Sequence, residues 1–92
     1  MNFSDLKFTV HPNGLGKQAR HNFSNGYGVS VVISQFSYGG NLGLYELAVI
    51  RDGEIVYDTP ITDDVVGNLT PEGVTDLLTR IEALPPAQKL HD

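Results

Sequence analysis

The chain has 92 residues and a mass of 10.0 kDa, with 6 Lys plus Arg against 11 Asp plus Glu, a formal charge of −5 and no cysteine. A chain this short forms one domain, 1–92, with a modest core, because small domains bury only about 60–65% of their unfolded surface. The composition excludes a disulfide framework and thiolate chemistry, carries no signal-peptide or membrane-span pattern, and at 40% hydrophobic content is too apolar for wholly disordered protein, so the expectation is a cytosolic, acidic domain.

In chain order, the alternation of Leu6, Phe8 and Val10 with Lys7 and Thr9 predicts a short strand over 6–10. His11-Pro12-Asn13-Gly14 ends it, since Pro removes a donor and Asn-Gly favours a turn. Residues 11–26 read as a basic Gly/Asn-rich loop, with room for one helical turn around Lys17 to His21. The β-branched and aromatic run from Val29 to Phe36 predicts a strand over about 28–37, with Val29, Val31 and Ile33 on one face and Ser30, Val32, Ser34 and Phe36 on the other. Tyr38-Gly39-Gly40-Asn41 turns the chain into a further strand over 44–51.

Asp52-Gly53 between apolar runs is a strong hairpin signal. A two-residue turn there pairs Arg51 with Glu54, Ile50 with Ile55, Val49 with Val56 and Ala48 with Tyr57, giving a strand over 54–59. Leu44, Ala48, Ile50, Ile55 and Tyr57 then share one face; Tyr45, Leu47, Val49 and Val56 share the other. Both faces are apolar, so the face a helix leaves open needs the N-terminal segment, the long loop or another protein to cover it. Next, Thr62 or Asp63 is placed to cap a helical turn closed by Gly67-Asn68. Thr70-Pro71-Glu72 opens the main helix, 71–84, whose stripe is Val74, Leu77, Leu78, Ile81 and Leu84. Pro85-Pro86 stops it and 85–92 forms a tail. The fold expectation is α+β: an antiparallel sheet of three to four strands with one C-terminal amphipathic helix packed on one face.

Charge divides along the chain. Residues 1–43 hold Lys7, Lys17 and Arg20 against Asp5 alone, a net of +2. Residues 44–92 hold Arg51, Arg80 and Lys89 against ten acids, a net of −7. Two candidate partner-binding surfaces follow: an acidic face of Glu54, Asp58, Asp63 and Asp64, with Glu46 on the paired strand, and a basic loop of Lys17, Arg20 and His21. The acidic set imitates a row of phosphates; the basic set suits phosphate or RNA. The overall acidity argues against binding free duplex DNA.

Catalytic and metal signals are weak. His11 and His21 flank a loop that gives poor geometric precision, and His91 sits in the tail. Histidines ten apart match no common zinc spacing, and Asp63-Asp64 lacks the oxygen-rich loop of a calcium site. Asn13-Gly14-Leu15-Gly16-Lys17 and Asn25-Gly26-Tyr27-Gly28 match no phosphate-cradle motif and read as turn glycines. No cofactor, metal or catalytic residue is assigned, and the protein is expected not to be an enzyme.

Four stretches carry a resemblance: Asn25 to Val31, Ser37 to Gly40, Gly43 to Val49, and Thr59-Pro60-Ile61-Thr62-Asp63-Asp64 through Thr70. Together, over about residues 21–84, they resemble small accessory proteins of tailed bacteriophages, among which anti-CRISPR and other anti-defence proteins share this size, acidity and lack of motifs. The resemblance implies a non-enzymatic inhibitor in the bacterial host cytoplasm. It would bind a CRISPR surveillance or effector complex, with guide RNA as a further contact, and block target-DNA recognition. A virion assembly protein that oligomerises through its sheet is the alternative, and a homodimer is compatible with the same uncovered face. A protein that sequesters a nucleotide signal on Lys17, Arg20 and His21 is the second alternative.

Overall fold

A computed structural model of the chain describes residues 1–10, 14, 16–34, 42–56 and 65–86. It contains a 3-10 turn (Phe3–Asp5), strands β1 (Thr9–Val10), β2 (Lys17–Asn22), β3 (Tyr27–Ile33), β4 (Tyr45–Arg51), β5 (Glu54–Ile55) and β6 (Val66–Leu69), and helix α1 (Pro71–Glu82). The architecture is α+β, one antiparallel sheet with the C-terminal helix against it, as the sequence predicts. The sheet runs β1-β2-β3-β4, and β5 and β6 share the outer side of β4. Chain leaving β5 at Val56 donates to the Val49 carbonyl at 2.9 Å, and the chain rejoins β4 at Val66, opposite Leu47.

The register explains the core. It sets Ala19, Val31 and Leu47 side by side, and next to them His21, Val29 and Val49. On this face Ala19, Val29, Val31, Leu47 and Val49 are buried against Val74, Leu77, Leu78 and Ile81 of α1, joined by Phe23, Val56 and Leu6. Burying a large apolar side chain stabilises by about 1.5–3 kcal/mol, so the helical stripe is what fixes α1 to the sheet. Thr70 caps the helix, its Oγ1 accepting from Gly73 N at 3.1 Å, with Pro71 in the first turn. The N-terminal segment packs on this same side. Phe3 N donates to Thr75 Oγ1 at 2.9 Å, and the Phe3 ring lies 4.9 Å from Tyr45 and 5.6 Å from Phe8.

The hairpin at Asp52-Gly53 forms as predicted: both residues take positive φ (55° and 81°), as a type I′ turn requires, with Ile50 opposite Ile55 and Arg51 opposite Glu54. The alternation on β3 and β4 also holds. Leu47 and Val49 face the helix, while Ala48 and Ile50, 6% and 5% exposed, lie on the opposite face.

Five expectations are corrected. Among the described residues the sheet has six strands rather than three to four. Residues 17–22, read as loop or helical turn, form β2, because Ala19 has a core position opposite Val31 that a loop would not fill. The chain then turns through Ser24-Asn25-Gly26, with Phe23 N bonded to the Tyr27 carbonyl at 2.7 Å and Gly26 at φ 92°, a three-residue hairpin loop ending in a left-handed glycine. Gly67-Asn68 does not close a helix. Both residues lie in β6 across from Glu46, where the register shifts, and Asn68 takes φ 57° to absorb the extra residue of the bulge. The predicted strand 6–10 is paired only over Thr9–Val10, and the helix ends at Glu82. The expectations for Phe36, Tyr57, Thr62 and the end of the tail fall outside the described residues.

Candidate functional site

The basic residues predicted to share one loop stand on a strand instead, and its period of two divides them. Lys17 and His21 take the parity of Ala19, on the helix side; Arg20, opposite Ser30, takes the other. Lys17 and Arg20 are exposed and His21 is half-buried, its ring 4.9 Å from Phe23 in an edge-to-face contact.

β2 lies near the edge of the sheet. It pairs with β1 only through Lys17 and Gln18, so among the described residues Ala19 to Asn22 have no strand on their outer side. Extending the β1–β2 register by two residues would set Lys7 opposite Arg20, yet pairing stops at Thr9. The N-terminal segment runs beside β2 without joining it, and a groove of 420 Å³ remains, lined by Met1, Asp5, Leu6, Lys7, Arg20 and His21. Lys17 does not line it. Of the candidate basic set, the groove holds Arg20 and His21 and omits Lys17, and Lys7 lines it with them. Among the described residues neither Lys7 nor Arg20 forms an ion pair. Of the other charges at the groove, the Asp5 carboxylate accepts from Asn2 N at 2.9 Å and the Met1 ammonium lies 3.2 Å from Glu82 Oε1.

Of the acidic set, Glu54 is exposed on β5, across three strand positions from β2, with Asp52 beside it in the turn. Glu46 is half-buried on the helix-free face, next to Val32 of β3. Asp58, Asp63 and Asp64 lie outside the described residues, as do His11 and His91. The helix-free face bears a 230 Å³ cavity, whose lining includes Arg20, Ala48, Ile50 and Ile55. Ser30 forms part of its polar floor, its hydroxyl accepting from Gln18 Nε2 at 2.8 Å. The N-terminal segment and residues 17–26, two of the predicted covers for this face, are used elsewhere: the first packs on the helix side and the second builds the sheet.

Among the described residues no group of three His, Asp or Glu is placed to hold a metal ion, and no helix is long and apolar enough to cross a membrane. Gly26 serves the β2–β3 turn through its positive φ, and Gly28 sits in the ladder opposite Asn22, where a Cβ would approach the His21 carbonyl to 2.9 Å, so turn geometry accounts for the first and close strand approach for the second. No protein-family model, curated protein or solved structure matches the chain.

Proposed function

We propose that the protein is a non-enzymatic phage inhibitor of the anti-CRISPR kind. It acts in the host cytoplasm by binding a CRISPR surveillance or effector complex and blocking target-DNA recognition. The observation that carries this reading is the placement of charge: Lys7, Arg20 and His21 gather at one edge of the sheet, while Asp52 and Glu54 stand at the other. A small rigid sheet with edges of opposite sign is suited to lie across a nucleoprotein surface, one edge toward basic protein and the other toward phosphate. An interference assay in a CRISPR-positive host tests it. The wild-type chain is expected to restore plaque formation and to recover the effector complex in a pull-down. Reversing Asp58, Asp63 and Asp64 abolishes protection if the acidic pole docks, and Lys7→Ala with Arg20→Ala does so if the basic pole docks. Wild-type protein that neither protects phage nor retains an effector complex would overturn the reading.

A further inference from the structure

We propose that the groove between the N-terminal segment and the open end of β2 is a binding site for phosphoryl groups, with Lys7 and Arg20 as its principal ligands and His21 as a further donor. This assigns a ligand class to the basic pole and rests on the inhibitor reading for its biological setting alone.

Three observations converge there. The first is charge: in a chain of net −5, this groove collects Lys7, Arg20 and His21 against one carboxylate. That carboxylate, Asp5, already accepts a backbone hydrogen bond within its own turn. Neither Lys7 nor Arg20 forms an ion pair among the described residues, so their charge is available to an incoming anion. The second is backbone: among the described residues β2 has no strand beside Ala19 to Asn22. An open strand edge presents unpaired N–H groups alternating with carbonyls, and those N–H groups are donors that phosphate oxygens accept from. The third is size. At 420 Å³ the groove exceeds what one carboxylate or chloride would fill and falls in the range of small-ligand sites. Arg supplies a planar fork matched to two phosphate oxygens and Lys a compact charge, a pairing that recurs in phosphate recognition.

The phosphoryl group has two sources, a free nucleotide or the backbone of single-stranded RNA. Fluorescence anisotropy with a labelled single-stranded RNA of about ten nucleotides covers the second. Calorimetry with AMP and inorganic phosphate covers the first. Saturable binding of either probe is expected. Lys7→Ala and Arg20→Ala should each weaken it by about tenfold, and the RNA salt slope should fall by on the order of 0.7 for each phosphate no longer neutralised. Lys17→Ala and Arg80→Ala remove the same charge outside the groove and should change affinity less than about twofold. Lys7, Lys17 and Arg20 are without an ion pair among the described residues, Arg80 lies 3.8 Å from Asp76, and thermal melts verify that each variant folds. Binding of RNA alone assigns the backbone, and competition by AMP assigns the nucleotide. No saturable binding of any probe, or equal losses from all four variants, would overturn the groove. Plaque protection retained by variants that have lost phosphate binding would separate the two proposals, leaving the inhibitor reading in place without this site.

Discussion

Asn25 ties the sheet to the helix end. Its side-chain amide donates to the carbonyls of Ile81, Glu82 and Leu84 at 2.9, 3.3 and 3.1 Å, while its Oδ1 accepts from Tyr27 N at 3.0 Å. The last carbonyls of a helix have no i+4 partner within it, so Asn25 supplies donors at this end beside the bond that Leu84 N gives to the Ile81 carbonyl at 3.1 Å. Asn25→Ala is expected to cost about 1–3 kcal/mol, read as a lower urea midpoint with unchanged slope. Asn25→Asp should be at least as damaging, because it keeps the acceptor, removes the donors and places negative charge at the negative end of the helix. At Asn68, the left-handed backbone makes Asn68→Gly close to neutral and Asn68→Val destabilising by about 1–2 kcal/mol in the same measurement. Local sequence marks both Asn-Gly and Gly-Asn pairs as places where the chain bends. It carries no sign that Asn25 reaches a helix 56 residues away, nor that Gly67-Asn68 bends a strand instead of ending a helix.

Elements were legible where one physical signal dominated. The Asp52-Gly53 hairpin announces itself because few residue pairs accept two positive φ angles in succession. Helix α1 is legible from its cap, its proline and a stripe of four buried residues. Thr70→Ala should lower stability by about 1 kcal/mol through the lost cap, and Leu78→Ala by about 2–5 kcal/mol through the cavity beneath α1. Both are measured by thermal or urea unfolding. Strand β2 was not legible, since Lys17-Gln18-Ala19-Arg20-His21-Asn22 contains no β-branched residue and only Ala19 is buried. Its strand character comes from pairing with β3 along its whole length, a tertiary effect that outweighs its own propensity. The candidate site shares that fate: once Lys17 to His21 are read as loop, neither their division between two faces nor the arrival of Lys7 beside Arg20 can be inferred.

For the whole molecule, one buried cluster joins β2, β3, β4, α1 and the N-terminal segment. Helix and sheet therefore should unfold together, with far-ultraviolet circular dichroism and tyrosine fluorescence giving superimposable transitions. A helix that melts at lower denaturant than the tyrosine signal would contradict a single cooperative core. Charge follows the topology in the same way: cationic residues of the first half occupy β2 and the segment beside it, while Glu46 stands on β4 and Asp52 and Glu54 on the hairpin beyond it.

The shared edge of β4 has a consequence for how the protein can be taken apart. The chain departs opposite Val49 and returns opposite Leu47, so the attachment points of residues 57–65 are roughly 7 Å apart along one strand. Such a segment is a cassette: its two anchors belong to the scaffold, and closing a longer or shorter connection between them costs only about 0.6 kcal/mol per doubling of length. Exchanging 57–64 for neutral glycine-serine linkers of about eight and about sixteen residues should give two variants whose stabilities differ from each other by only about 0.6 kcal/mol, both lacking Asp58, Asp63 and Asp64. The same graft point would accept a foreign epitope, which makes this domain a carrier in which cargo and scaffold can be varied separately.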